Sequence, residues 1–201
     1  MNSRYRLMSL RTLVACLVIF TYSCNQKGLA MPAADKAESG PIVSAPAGQV
    51  EGVVEGNLHV FKGIRYAEPP VGAARWTPPR SMPPWSDVRK AAQFGFACVQ
   101  PSRTVASIYA DDIGTVSEDC LTLNIWAPAD VSDAPVLVWF HGGALTRGSS
   151  GLPFYDGTRL AEQGIVFVSV NFRIGIFGYL AHPELSAESP LGISGNYGIL
   201  D

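Results

Sequence analysis

An unbroken apolar run, Val136 to Phe140, leads directly into His141-Gly142-Gly143-Ala144. Glycines after a strand place main-chain N–H groups at its carboxyl end, where ligands sit in open α/β sheets. The missing side chains let those groups turn towards a ligand. Two convergent N–H donors suit the oxyanion that develops during acyl transfer, and losing one such donor typically costs about 3–4 kcal/mol of barrier. The residues alone equally allow a tight turn whose glycines only relieve crowding. A phosphate loop is the other chemistry open to them, since Gly143 and Gly148 have GxxxxG spacing. Ser149-Ser150 stands where that motif needs Lys, and Pro153 delays the helix, so the phosphate reading fails.

Other chemistry-bearing residues are sparse. His59, His141 and His182 are scattered, and no His/Cys/Asp/Glu group has the tight spacing of a zinc site. Neither a metal nor an organic cofactor is expected. The 201 residues hold 15 Lys and Arg against 17 Asp and Glu, with no basic stripe of the kind nucleic-acid binding needs. With 47% hydrophobic and 16% charged residues, the composition excludes disordered, collagen-like and coiled-coil chains.

Residues 1–24 read as an export signal. Arg4, Arg6 and Arg11 flank the apolar run Leu13 to Tyr22, with no acidic residue among them. That run is too short to span a bilayer, which takes about 20 apolar residues. Two cleavage readings stand side by side. Thr21-Tyr22-Ser23-Cys24 resembles a lipoprotein box, which would put a lipid anchor on Cys24. Gly28-Leu29-Ala30 suits an ordinary signal peptidase cutting nearer residue 30. Either route leads to a periplasmic or extracellular protein. Cys16 and Cys24 belong to this segment, which leaves Cys98 and Cys120. In an exported chain such a pair reads as a disulfide, against the alternative of two buried free thiols. Closing a loop of about two dozen residues would contribute roughly 3 kcal/mol.

These residues need elements to position them. Residues 25–47, rich in Ala, Pro, Gly and Ser without periodicity, read as a flexible tether, and residues 48–201 as the folded part. Gln49–Val54 and Leu58–Lys62 are strand-like runs joined at Glu55-Gly56-Asn57, an N-terminal hairpin. The prolines between Glu68 and Trp85 are interleaved with Trp76 and flanked by Tyr66, which favours packed coil over a linker. Leu121–Trp126 is a strand. Pro135–Phe140 has the continuous apolar pattern of a strand covered on both faces. Thr158–Gln163 is a short helix stopped at Gly164, and Ile165–Val170 a further β-branched strand. Strand, glycine loop, helix and strand make a βαβ unit, hence a parallel pair. Asn196 would cap a last helix, which no stop signal closes before Asp201, so the sheet reads as cut short.

Longer stretches are recognisable as a set. Gly63-Ile-Arg-Tyr-Ala-Glu-Pro-Pro-Val-Gly72 with Arg75-Trp76, Cys98-Val-Gln100 and Ser117-Glu-Asp-Cys-Leu-Thr-Leu-Asn-Ile-Trp-Ala-Pro128 resemble the amino-terminal part of the type-B carboxylesterases, the carboxylesterase/cholinesterase family. Val138 to Ala144, Tyr155-Asp-Gly157, Val170 to Gly175 and Gly195-Asn-Tyr-Gly198 continue it in order. The resemblance covers about residues 48–201. It implies an α/β-hydrolase fold, present here as the N-terminal strands and first βαβ unit. It also implies hydrolysis of small-molecule carboxylic esters by a Ser-His-Glu triad. Gly143 and Ala144 would supply oxyanion-hole N–H groups, with Gly142 shaping the turn. Cys98 and Cys120 match the family's first disulfide, and Arg75 and Glu118 a structural ion pair, although two separately solvated charges would look the same in sequence.

The family's nucleophile lies in a Gly-x-Ser-x-Gly elbow beyond the Gly-Asn-Tyr-Gly segment. No such elbow occurs in this sequence. The expectation is therefore the oxyanion half of an ester hydrolase, a fragment without triad and inactive alone. An inactive esterase-like binding module and a non-functional truncated product are the alternatives. Tyr109 is the sole aromatic between Cys98 and Cys120, where cholinesterases stack choline on Trp, and this weighs against a quaternary-ammonium substrate.

Overall fold

The computed structural model describes residues 40–101 and 113–201, within one compact unit that starts at Glu38. The residues read as an export signal, Cys24, the residues up to 39 read as a tether, and Tyr109 lie outside the described residues. In chain order the first strands are β1 (Ile42–Ala45), β2 (Gly48–Glu51), β3 (Val53–Glu55), β4 (Leu58–Arg65) and β5 (Val88–Lys90). A short parallel pair, β6 (Ala97–Cys98) and β7 (Val116–Ser117), precedes β8 (Thr122–Pro128), β9 (Val136–Phe140) and β10 (Val166–Val170). The helices are α1 (Thr158–Ala161), α2 (Gly175–Tyr179), α3 (Pro183–Glu188) and α4 (Tyr197–Leu200).

The main sheet has the order β3-β4-β8-β10-β9. Its last pair is parallel, with Val136 opposite Val166 and Phe140 opposite Val170, and the other pairs are antiparallel. The β9–α1–β10 unit is the crossover that the sequence predicts. Its helix ends as expected: Gly164 takes φ +85°, and the N–H groups of Gly164 and Ile165 donate to the carbonyls of Ala161 and Leu160. This is a Schellman motif, which only glycine enters without a Cβ clash.

Register decides the core. Val60, Trp126 and Phe167 are directly opposite one another on three neighbouring strands, and they pack with Leu58 and Ala161 under α1. Residues one step along point to the other face. There Phe61 and Ile125 meet Val50 of a second sheet, β1-β2-β5, and Ala91, the residue that follows β5. A third cluster, Cys98, Cys120, Leu121, Phe172 and Ile174, lies where the disulfide joins β6 to the entry of β8.

Three expectations are corrected. Residues 42–45 are strand and not tether, because Ile42–Ala45 pairs antiparallel with Gly48–Glu51; the β-branched Ile42 and Val43 outweigh the surrounding Ala, Pro and Ser. The run Gln49–Val54 is two strands, not one. It breaks at Gly52, where a side chain would lie 2.5 Å from the Val60 carbonyl oxygen, so β2 leaves for the second sheet while β3 keeps the hairpin with β4. Finally, β9 is the edge of the described sheet, and its residues are 41% to 63% exposed rather than covered on both faces. The proline-rich stretch is packed as expected, with Trp76 stacked on Phe177 and the Trp85 indole donating to the Gln49 carbonyl.

Cys98 and Cys120 are bonded, with Cα atoms 5.1 Å apart. Replacing both with Ser should lower the unfolding free energy by about 3 kcal/mol. Urea unfolding of parent and variant measures this. Equal midpoints would mean that loop closure contributes nothing here.

Candidate oxyanion site

The turn at the end of β9 is built from conformations most residues avoid. Gly143 has φ +127° and Gly148 φ +116°, while Ala144 (φ +53°) and Leu145 (φ +59°) are consecutive non-glycine residues in the left-handed region. Such residues persist only where their surroundings over-determine them, at about 1–3 kcal/mol each. Here the N–H groups of Thr146 and Arg147 both donate to the Gly143 carbonyl, at 3.1 and 3.2 Å, and Gly175 N–H donates to the Leu145 carbonyl at 2.6 Å. Among the described residues the N–H groups of Gly143 and Ala144 donate to no protein acceptor. Gly142 and Ala144 are exposed, so the turn opens to solvent on that side.

The steric burden falls on Gly143 rather than Gly142, which corrects the sequence assignment. A Cβ on Gly143 would run into the Arg147 carbonyl, whereas one on Gly142 would make only an ordinary contact, 3.8 Å from the Tyr155 hydroxyl.

His141 sits beneath the turn, buried and stacked on Phe172 with ring centroids 4.6 Å apart. Its Nδ1 lies 3.0 Å from the Gly142 carbonyl oxygen, and its Nε2 has no partner among the described residues. A carbonyl neighbour makes Nδ1 the protonated nitrogen of a neutral ring. Burial holds the imidazole below the ordinary histidine range. Among the described residues no carboxylate orients it, and its contacts make it a prop for the turn. His182 caps α3, its Nδ1 accepting from the Glu184 N–H, and His59 lies on β4; neither reaches the site.

Behind the turn runs a buried polar network that sequence reasoning missed. Asn124 on β8 donates to the hydroxyls of Ser150 (3.1 Å) and Ser169 (3.0 Å), and its Oδ1 accepts from Gly63 N–H at 2.9 Å. Asn171 accepts from Ser150 N–H at 2.7 Å and donates to the Phe96 carbonyl at 3.0 Å. The signal available beforehand was an Asn inside a mostly apolar strand. Ser149 and Ser150 are buried, and neither touches a histidine or carboxylate in these bonds, so neither is an activated nucleophile.

Three ion pairs surround this core. The predicted one forms: Arg75 grips Glu118 through Nε and Nη2, both at 2.5 Å. Arg65 holds Asp119 in the same two-pronged way. Arg173 and Asp201 are 3% and 0% exposed, and Arg173 also donates to the Thr77 carbonyl at 2.8 Å. That last pair carries no assignment in the sequence reading, because Arg and Asp some thirty residues apart have no local signature.

A parallel β9–α1–β10 crossover on an antiparallel flank, with a glycine turn at the carboxyl end of β9, is the N-terminal part of an α/β-hydrolase fold. Solved structures agree: a PNB esterase superposes with a TM-score of 0.72 at 38% identity, over 81% of this chain and 33% of that one. A Geobacillus stearothermophilus carboxylesterase gives 0.68 at 40% identity, over 79% and 32%. The family model described as "Carboxylesterase family" matches residues 39–201, and the chain belongs to that family. Among curated relatives, the fumonisin B1 esterase of Sphingopyxis macrogoltabida is 46% identical over 175 residues, 86% of this chain and 32% of that protein. The para-nitrobenzyl esterase of Bacillus subtilis is 42% identical over 162 residues, 80% and 32%. The chain thus spans about a third of the length of these relatives.

Two outcomes follow. The folded-state pKa of His141 is depressed, so as pH falls the unfolded chain takes up this proton first. Its contribution is full above the unfolded value of about 6.5 and is lost as pH drops towards the folded value. Urea unfolding at pH 7 and pH 5 should show a smaller acid loss in His141→Phe than in the parent; identical slopes would contradict a buried neutral imidazole. Asp201→Asn should destabilise by about 3–5 kcal/mol by stranding the Arg173 charge, and adding Arg173→Met should recover most of it. A single-variant loss below about 1 kcal/mol would mean that the pair is solvated.

Proposed function

We propose that this chain is the oxyanion half of an exported carboxylic ester hydrolase. The turn after β9 carries the reading: Gly143 and Ala144 present uncommitted N–H groups in a backbone held at positive φ by the surrounding bonds. When a nucleophile adds to an ester carbonyl, its oxygen gains charge. Donors already fixed at that position stabilise it without reorganising. Gly142 leaves the approach unobstructed, and His141 supports the turn from beneath as a buried neutral ring. Family membership and the names of the relatives, among them fumonisin B1 esterase and para-nitrobenzyl esterase, support small carboxylic esters as substrates.

In this reading the serine, acid and histidine that complete such a site come from chain outside residues 1–201. No Gly-x-Ser-x-Gly occurs in the sequence, and Ser149 and Ser150 are buried. The Arg75–Glu118 pair braces the proline-rich loop against the disulfide. Export follows from the signal-like residues 1–24, and a Cys98–Cys120 bridge suits an oxidising compartment. A lipid on Cys24 would tether the protein at a membrane surface.

The test compares the 201-residue chain with the product of its complete gene on p-nitrophenyl acetate. The short chain should match buffer, and the complete product should turn over. Gly143→Val in the complete product, whose Cβ would run into the Arg147 carbonyl and turn the N–H groups away, should lower kcat by at least about 100-fold, the usual scale for an oxyanion donor taken out of place. Turnover by the short chain that survives repurification, or a complete product inert towards esters, overturns the proposal.

A further inference from the structure

A turn with two left-handed non-glycine residues needs a hold beyond its own hydrogen bonds, and one side chain supplies it from a distant segment. Gln100 reaches across to Gly148 and pairs with both of its backbone groups. Its Oε1 accepts from Gly148 N–H at 2.8 Å, and its Nε2 donates to the Gly148 carbonyl at 2.7 Å. Nε2 also donates to the Cys98 carbonyl at 3.0 Å. Two carbonyls at one end of the amide and an N–H at the other leave a single orientation for it. The base of this arm is stiff, since Cys98 is bonded to Cys120 and Ala97–Cys98 pairs with Val116–Ser117.

Gly148 is the right place to grip. It closes the loop that begins at Gly142: a side chain on Gly148 would run into the His141 ring and lie 2.6 Å from the Gly142 carbonyl oxygen. The backbone of Gly148 is therefore seated directly against both residues at the start of the turn. Between these fixed ends, the bonds among the described residues that define the direction of Gly143 and Ala144 are those to the Gly143 carbonyl and the Leu145–Gly175 bond.

We infer that Gln100 is a positioning residue for the oxyanion turn, aiming the Gly143 and Ala144 N–H groups through its two-point grip on Gly148. This rests on the ester-hydrolase reading above. Gln100 acts through the Gly148 backbone, so its loss should act on the transition state rather than on binding.

The experiment uses the complete gene product and the variants Gln100→Leu and Gln100→Glu. For Gln100→Leu, kcat on p-nitrophenyl acetate should fall by about 10- to 100-fold, short of deleting a donor outright. KM should change by less than about twofold, as for an interaction realised in the transition state. Gln100→Glu keeps the shape and one acceptor but faces its carboxylate at two carbonyls. Protonation restores a donor there, so the ratio of variant to parent kcat should rise as pH falls from 8 to 6. Hydrogen–deuterium exchange over residues 142–149 reads the grip without any activity, and both variants should exchange faster than the parent. Should Gln100→Leu fail to fold, Gln100→Glu carries both readouts. Unchanged exchange overturns the grip. Faster exchange with unchanged kcat, or a ratio that ignores pH, overturns the positioning role. A parent inert towards esters sinks the functional reading alone, and the exchange comparison still decides the grip.

Discussion

The carboxamide of Asn124 is the junction at which the sheet and the glycine turn come to share one geometry. A buried amide left unpaired is expensive, and one paired on every side is selective for a single arrangement. Asn124 is 1% exposed and meets three segments at once: Gly63 at the bulge in β4, Ser169 on β10 and Ser150 where the loop after β9 returns. The β4 bulge exists so that Gly63, at φ +74°, can turn its N–H to that amide. Asn171 continues the same logic one residue beyond β10, reaching Ser150, Phe96 and the Tyr66 hydroxyl. Moving any of these segments would leave a buried donor or acceptor without its partner.

Charge is handled in a consistent way around that junction. Glu118 and Asp119 immediately precede Cys120, and each takes a two-pronged arginine, from Arg75 and Arg65. Exposed pairs of this kind contribute little to stability. Their geometry instead sets the direction in which the disulfide segment and the proline-rich loop leave the sheet. The Arg173–Asp201 pair is of another type. It is wholly enclosed, with Tyr197 under the guanidinium, so it works as a registration device linking the end of β10, the loop at Thr77 and α4.

The two ends of the sheet differ sharply. β4 and β8 are packed on both faces, by α1 and by the β1-β2-β5 sheet, and β10 packs under α1 through Phe167. β9 is not, although every one of its residues is apolar, and Leu145, Ile199 and Leu200 add to the exposed surface beside it. That surface borders the glycine turn after β9. The relatives are about three times as long as the segment they share with this chain.

Local chemistry was readable wherever it acts over a few residues. Gly164 ends α1, the apolar runs of β9 and β10 form a parallel pair, and the cysteine pair forms a disulfide, because turn sterics, burial and oxidation each leave a compositional mark. The position of the glycine turn was visible for the same reason. What only the tertiary structure decided is what depends on partners distant in sequence. Gly52 divides an apparently continuous strand because β4 crosses it closely, Gly143 and not Gly142 bears the steric demand, and Asn196 enters α4 in a left-handed conformation without capping through its side chain. The roles of Asn124, Asn171, Arg173 and Gln100 belong to the same group. Periodicity reports how hydrophobic a face is, whereas hydrogen-bond satisfaction is settled by whichever backbone group the fold brings within about 3 Å.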